Sequence, residues 1–346
     1  MTDLARLGIT EVVLAFLAAT AVIALAGARL VRAADRLADL TGWGEAIFGA
    51  VLLGGSTSLP GVTTSVVTAW QGFPELSVSN AIGGIAAQTV FLAVADMAHR
   101  GANLEHAAAS VENLMQGALL ATLLAIPLLA MAGPPLDVSG VHPASLGLFV
   151  MYGFGLRLVR QARADPLWAA KQTERTREDV TEAAPAPLPG EAVKLWLRFG
   201  ILAALVSIAG WAVAETGIEI AARTGFSETT VGSIFTAIST SLPELVTAVA
   251  AVRQGALTLA VGGIIGGNCF DVLFMAFADI AYREGSIYHA ITELQVFMIA
   301  LTILLSGVLL LGLLRRERSG WFGIGFESFL VLVLYLGAVS ILFLGP

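Results

Sequence analysis

Charge is what this 346-residue sequence has least of. Aspartate, glutamate, lysine and arginine make up 13% of it, about half the share with which a soluble domain covers its surface. A soluble globular fold is thereby excluded. Cysteine is nearly absent: Cys269 stands alone, which rules out a disulfide framework and a cysteine-rich metal site, and leaves it the part of a small packing residue. The four histidines, His99, His106, His142 and His289, fall at expected loops or helix ends without metal-ligand spacing. An interfacial role is expected of them rather than catalysis. No His-Glu-x-x-His pair, nucleophile elbow or P-loop occurs, so neither a metalloprotease nor an ATP-driven pump finds support, and no enzyme is expected.

What fills the chain instead is long apolar runs. Hydrophobic residues make up 57% of it, and the mean hydropathy is +0.83. The runs are unbroken rather than alternating, which points to an all-α integral membrane protein and away from a barrel. Ten stretches reach the ~20 residues needed to cross: 11–31, 46–70, 77–98, 111–132, 143–160, 194–215, 229–252, 257–281, 289–313 and 322–344. The first is long enough to span, so no cleavable leader is expected. Between the fifth and sixth lies the one long polar stretch, ending in Ala184-Pro185-Ala186-Pro187-Leu188-Pro189-Gly190. It reads as a flexible linker over 161–192, with five-helix units over 1–160 and 193–346. If both termini lie outside, the inner side holds 16 lysines and arginines and the outer side three, Arg6, Arg223 and Arg283. That bias predicts a multi-pass protein of the plasma (inner) membrane with outer termini and a cytoplasmic linker.

The two units are copies. A shift of 183 residues, without a gap, brings 45–100 onto 228–283. The identities include Ser56/Ser239, Thr57/Thr240, Ser58/Ser241, Leu59/Leu242, Pro60/Pro243, Thr64/Thr247, Gln71/Gln254, Gly83/Gly266, Gly84/Gly267, Phe91/Phe274 and Asp96/Asp279. Apolar composition alone does not align such polar residues, so the chain is a duplication. The first copy begins after one span and the second after six, an odd difference. The two copies are therefore expected to cross in opposite senses, the arrangement in which interrupted helices form a midplane site with two access states.

The polar residues within the spans are the costly ones. Ile238-Ser239-Thr240-Ser241-Leu242-Pro243-Glu244 sets a helix breaker beside a carboxylate in an apolar run. Its hydroxyls, a carbonyl freed by Pro243 and the Glu244 carboxylate are hard oxygen ligands, suited to sodium or calcium. Thr240, Glu244 and Thr247 are spaced to share a helical face, as are Gly267, Asn268 and Asp271 on the next span. In the first copy Thr57, Gly61 and Thr64 form the same stripe with a gap where the acid would be. That gap is expected to leave volume for a water or a larger ion.

These motifs resemble the cation/calcium exchanger superfamily, typified by sodium/calcium exchangers. Thr240-Ser241-Leu242-Pro243-Glu244 followed by Gly262-Gly263-Ile264-Ile265-Gly266-Gly267-Asn268-Cys269-Phe270-Asp271 looks like that family's second repeat. The resemblance implies ten transmembrane helices in two inverted repeats of five. It implies cation ligands at Thr240, Ser241, Glu244 and Asp271, with Thr57 and Ser58 from the first repeat, Gln88 opposite Asp271, and Asn268 beside it. The chain departs from the pattern at Gly61, in place of the acid, and at Gly84, Ile85, Gly263 and Gly267. The function implied is a secondary antiporter exchanging calcium or a related cation for sodium or protons by alternating access. The alternative is a degenerate exchanger that binds cations as a sensor or partner subunit without coupled transport. The partners called for are small inorganic cations and the lipid bilayer, with no cofactor and no nucleic acid. Among the remaining polar residues, Asp96 and Asp279 sit four before Arg100 and Arg283, which predicts ion pairs at helix ends. Glu45 and Glu228 are expected at helix N-termini, and Glu75 in an outer turn too far along its helix to replace the missing acid at 61.

Overall fold

The computed structural model describes residues 6–41, 49–98, 104–166, 191–316 and 325–344, and among these the elements are helices joined by short turns. In chain order they are α1 (Ile9–Thr41), α2 (Gly49–Trp70), α3 (Pro74–Ala98), α4 (Val111–Ala132), α5 (Pro143–Ala164), α6 (Glu191–Thr224), α7 (Glu228–Thr240), α8 (Leu242–Gln254), α9 (Leu257–Asp271), α10 (Leu273–Ala281), α11 (Glu293–Arg315) and α12 (Phe326–Leu344). Among the described residues seven spans are long and apolar enough to cross a membrane, α9 and α10 counting as one, and the bent pair α7–α8 makes an eighth. Most of the expected linker lies outside the described residues, as does Glu45. Local signals set the helix ends. Ser110 caps α4 by accepting the Asn113 amide at 3.1 Å, and Gly255, at φ +83°, closes α8.

The helices α1 and α6 are longer than expected, at 33 and 34 residues. At 1.5 Å per residue each measures about 50 Å, well beyond the ~30 Å hydrocarbon core. Such helices tilt to fit a bilayer. The two pack along each other, and each also crosses the proline helix of the other half, α1 on α8 and α6 on α2. Glycines permit the approach: a Cβ on Gly27 would come within 2.5 Å of Pro243 Cγ, and one on Gly210 within 2.6 Å of the Pro60 carbonyl oxygen. Gly27 and Gly210 are themselves 183 residues apart, so the duplication extends further than 45–100.

The two proline helices differ. Pro243 stands in the first turn of α8, after a 46° bend from α7. Pro60 lies inside α2, which is continuous. The expectation of an interrupted helix in both copies therefore holds for the second copy only. The difference begins upstream of the proline. Val231–Thr236 winds as a π-helix, whereas α2 is α-helical from Gly49 on. The wider turns shift the register so that Ser241 leaves the helix, with φ −95° and ψ 5°.

Two matching clasps join the halves. Asp96, at the end of α3, accepts the amide of Leu104 at 2.7 Å and that of Gly325 at 3.1 Å. Asp279, at the end of α10, accepts the amides of Ile287 at 2.9 Å and His142 at 2.8 Å, and the Ser145 hydroxyl at 2.6 Å. Beside them, a ring nitrogen of His106 lies 2.7 Å from the Arg316 carbonyl oxygen, and one of His289 lies 3.3 Å from that of Gly133. Leu104/Ile287, His142/Gly325, His106/His289 and Gly133/Arg316 are all 183 residues apart. Each aspartate thus holds its own following loop and the start of the other half's last helix. The ion pair expected for Asp279 is not what forms: the Arg283 guanidinium lies over the Trp70 ring, 5.2 Å from its centroid. Backbone amides reach the buried carboxylate more closely than a side chain on its own helix can. Arg100 lies outside the described residues.

Asp279→Ala leaves two buried amides without an acceptor, each costing about 1–3 kcal/mol, and takes from Ser145 one of its two hydroxyl partners. Thermal unfolding of the detergent-purified protein should show a loss on the order of 3 kcal/mol or more. Asp279→Asn, which keeps an acceptor oxygen, should lose less.

Candidate cation-binding site

The helices α3 and α9 pack against each other and each against both α2 and α8, and their polar residues meet where the two copies face. Asp271 ends α9 and is buried. A buried carboxylate midway along the span that α9 and α10 form together needs hydrogen-bond donors, and it has two. Both come from the first copy. The Ser58 hydroxyl on α2 donates a short hydrogen bond to Oδ1, and Gln88 Nε2 on α3 donates to Oδ2 at 2.6 Å. Gln88 Nε2 also lies 3.3 Å from Ser241 Oγ at the α7–α8 bend. A polar chain therefore runs Ser58, Asp271, Gln88, Ser241 across the junction of the repeats.

Glu244 sits in the first turn of α8, where the dipole favours a negative charge, and is likewise buried. Its electrostatic neighbours are Asp271 and the Thr57 hydroxyl. Its Oε2 has no hydrogen-bond partner, and neither have Gln88 Oε1 and Asn268 Oδ1. Buried polar atoms are nearly always paired. These three are all acceptor oxygens, the chemistry that a hard cation satisfies and a further donor-poor protein group does not. The charge is limited to Glu244 and Asp271: among the described residues no three acids, histidines or cysteines gather.

Several expected features take another form. The single stripe Thr240–Glu244–Thr247 is broken, because the bend at Ser241 puts Thr240 and Glu244 on different helices. The Thr240 hydroxyl donates to the Thr236 carbonyl at 2.9 Å and lies 3.4 Å from Asn80 Oδ1. Thr57 Oγ1 donates to the Gly54 carbonyl at 2.8 Å, and Asn268 Nδ2 to Thr89 Oγ1 at 3.2 Å. The volume expected at Gly61 is filled, since a Cβ there would lie 2.6 Å from Cε2 of Phe274. A Cβ on Gly84 would meet Ser241 Oγ at 3.3 Å, and one on Gly267 would meet Gln88 Oε1 at 3.7 Å. These two glycines let site polar groups come close. Glu228 is in the first turn of α7, as expected, and Glu75 is in the first turn of α3, 3.3 Å from the Thr229 hydroxyl. Cys269 is buried and donates to the Gln116 carbonyl.

One organising residue escaped the sequence reading. Asn80 donates to the Gly61 carbonyl at 3.2 Å and Ser65 Oγ at 2.9 Å, and accepts from Thr236 at 2.8 Å. From α3 it ties α2 to α7, the helix before the bend at Ser241. An amide inside an apolar span was the available signal, but its repeat counterpart, Gly263, is not polar, so the alignment did not mark it.

Residues 11–159 and 194–344 match the family described as sodium/calcium exchanger protein. The chain belongs to that family. It is a family of transporters, not enzymes, and the protein is a multi-pass integral membrane protein of cation/calcium exchanger kind. The putative antiporter CaxA of Alkalimonas amylolytica is 27% identical over 324 residues, 91% of this chain and 93% of that one. The inner membrane protein YrbG of Escherichia coli (strain K12) is 30% identical over 255 residues, 71% of this chain and 72% of that one. The sodium-calcium exchanger NCX_Mj superposes with a TM-score of 0.59 at 18% identity, covering 96% of this chain and 99% of that one. The H+/Ca2+ exchanger CAX gives 0.68 at 15% identity, covering 97% and 82%. At such identities the likeness is one of fold.

Ser58→Ala removes one of the two donors to Asp271 and leaves the rest of the chain in place. A loss of about 1–3 kcal/mol is expected for a buried acceptor so deprived, read from thermal unfolding. An unchanged melting temperature would detach Ser58 from Asp271.

Proposed function

We propose that the protein is a secondary antiporter that exchanges calcium or a related cation for sodium or protons by alternating access. The observation that carries this reading is the Asp271 carboxylate, which belongs to one repeat and is held by Ser58 and Gln88 of the other. A cation bound there touches both halves, so its arrival and departure change the contact between them. Glu244, with a buried oxygen lacking any donor, supplies the second charge. Thr57, Ser241, Asn268 and Thr240 complete the proposed ligand set, Thr240 by its position at the bend. The named exchangers among the relatives and structural neighbours support the same class of activity.

The reading includes ten spans in two inverted repeats of five. Its supports are the odd number of spans between the copies and packing contacts that recur under the 183-residue shift: α1 on α8 with α6 on α2, and α3 on α7 with α9 on α2. The reading also has both termini outside the plasma (inner) membrane and the 161–192 linker in the cytoplasm, and the bias of 16 basic residues against three supports it. A second reading, a cation binder without coupled transport, rests on Gly61, where the acid is absent and Phe274 fills the space.

The deciding measurement is calcium uptake by the purified protein in liposomes under imposed sodium, potassium or proton gradients. The wild type should accumulate calcium against at least one of them, and Glu244→Gln should abolish uptake while remaining folded and inserted. Wild-type flux that survives unchanged in Glu244→Gln would remove Glu244 from the site. A calcium-induced rise in melting temperature with no flux under any gradient would favour the second reading.

A further inference from the structure

Gly61 is the residue that the 183-residue shift sets against Glu244, and what occupies its surroundings bears on how much charge the site can carry. Phe274 lies on α10, three residues beyond Asp271. Its ring covers Gly61 closely enough that any side chain there would displace it. The ring is buried and is held in an aromatic row: Phe270 meets it edge-on at 6.4 Å, and Tyr152 meets Phe270 edge-on at 6.0 Å. From the other side, Asn80 fixes the Gly61 carbonyl at 3.2 Å. The position is a closed, apolar plug at the place where the repeat would otherwise put a carboxylate.

The charge count follows. The helix α2 carries no ionisable residue. On α3 the only acids are Glu75 in the first turn and Asp96 near the end. On α8 and α9 the acids are Glu244 and Asp271, and the one base, Arg253, stands in the last turn of α8. Asp96 and Asp279, at the helix ends, are taken up by backbone amides, so at the junction itself the acids are Glu244 and Asp271, with no basic side chain on these four helices there to offset them. Unbalanced charge in a low-dielectric interior costs several kcal/mol per ion after relaxation. A load of two positive charges balances the site, whereas a third would lie uncompensated against the Phe274 ring edge.

We propose that Phe274, seated against Gly61, limits the site to two positive charges and makes the exchange electroneutral, with one doubly charged or two singly charged ions per crossing in each direction. This rests on the antiporter reading and adds the charge moved per cycle. The residue acts by occupying the place of a ligand, not as a ligand itself.

The test measures the steady-state calcium gradient of the wild-type protein in liposomes, with the membrane potential clamped by potassium and valinomycin at zero and at 100 mV. Moving one net charge per cycle shifts that gradient by roughly 50-fold for 100 mV; the expected shift is none. A voltage-dependent gradient in the wild type overturns the proposal. A paired test asks whether Phe274 is the cause. The double variant Gly61→Glu with Phe274→Ala should become voltage-sensitive, while Gly61→Gln with Phe274→Ala, equal in size without the charge, should not. Voltage-insensitive flux in the charged double variant also counts against the proposal. Should the double variants not fold, the wild-type measurement decides alone. Absence of any flux overturns the antiporter reading instead. Calcium titration of the purified chain then reads the charge limit: one ion per chain supports it and two overturn it.

Discussion

The Asp271 carboxylate is the constraint on which the rest of the structure turns. It lies midway along the span that α9 and α10 form together, and it is buried. Neither of its hydrogen-bond donors comes from its own repeat. A charge in that position is tolerable only while the two copies remain apposed across it, because separating them would strip it of both donors and leave it in an apolar interior. The packing of α2 and α3 against α9 is therefore bound to the electrostatics of a single side chain. A cation entering the site acts on that junction directly.

Around it, the duplication supplies the frame. The same contact made twice appears as Gly27 under Pro243 and Gly210 under Pro60. It appears again as two aspartates that each close a loop and hold the other half's last helix. Each clasp uses a buried carboxylate to satisfy backbone amides that a membrane interior or its boundary would leave costly. Because every clasp joins residues of both halves, neither copy completes its own fold. The halves interlock at the helix ends and meet through Asp271 at the centre.

Much of this is legible in the sequence. The length of the apolar runs marked the helices, and the register of Ser-Thr-Ser-Leu-Pro, Gly-Gly and Asp between the copies marked the duplication. The carboxylates at 244 and 271 declared themselves by their cost in an apolar run. The remainder was hidden for definite reasons. The π-helical turns at Val231–Thr236 leave no sign in a hydropathy pattern, so the stripe through Thr240 and Glu244 looked continuous. Asp279 looked like a partner for Arg283 because spacing on one helix is visible in sequence, while an amide on another segment is not. Asn80 lacks a polar counterpart in the second copy. The space at Gly61 looked open because a glycine shows what is missing from its own position and nothing about the neighbour packed against it.

That last point separates the scaffold from the site. Where the copies agree, in the prolines, the glycines beneath them and the aspartate clasps, the shared residues hold helices together. Two of their differences fall on the polar junction: Gly61 against Glu244, and Gln88 against Asp271. In both pairs the second copy carries the acid and the first carries none. Symmetry of the frame is thus kept while the charge is moved to one side. The first copy contributes the donors, Ser58 and Gln88, that make the second copy's acid tolerable between loads. A site with four carboxylate positions and two carboxylates is lightly charged for its size, and Phe274 takes up room that the absent first-copy acid would have needed.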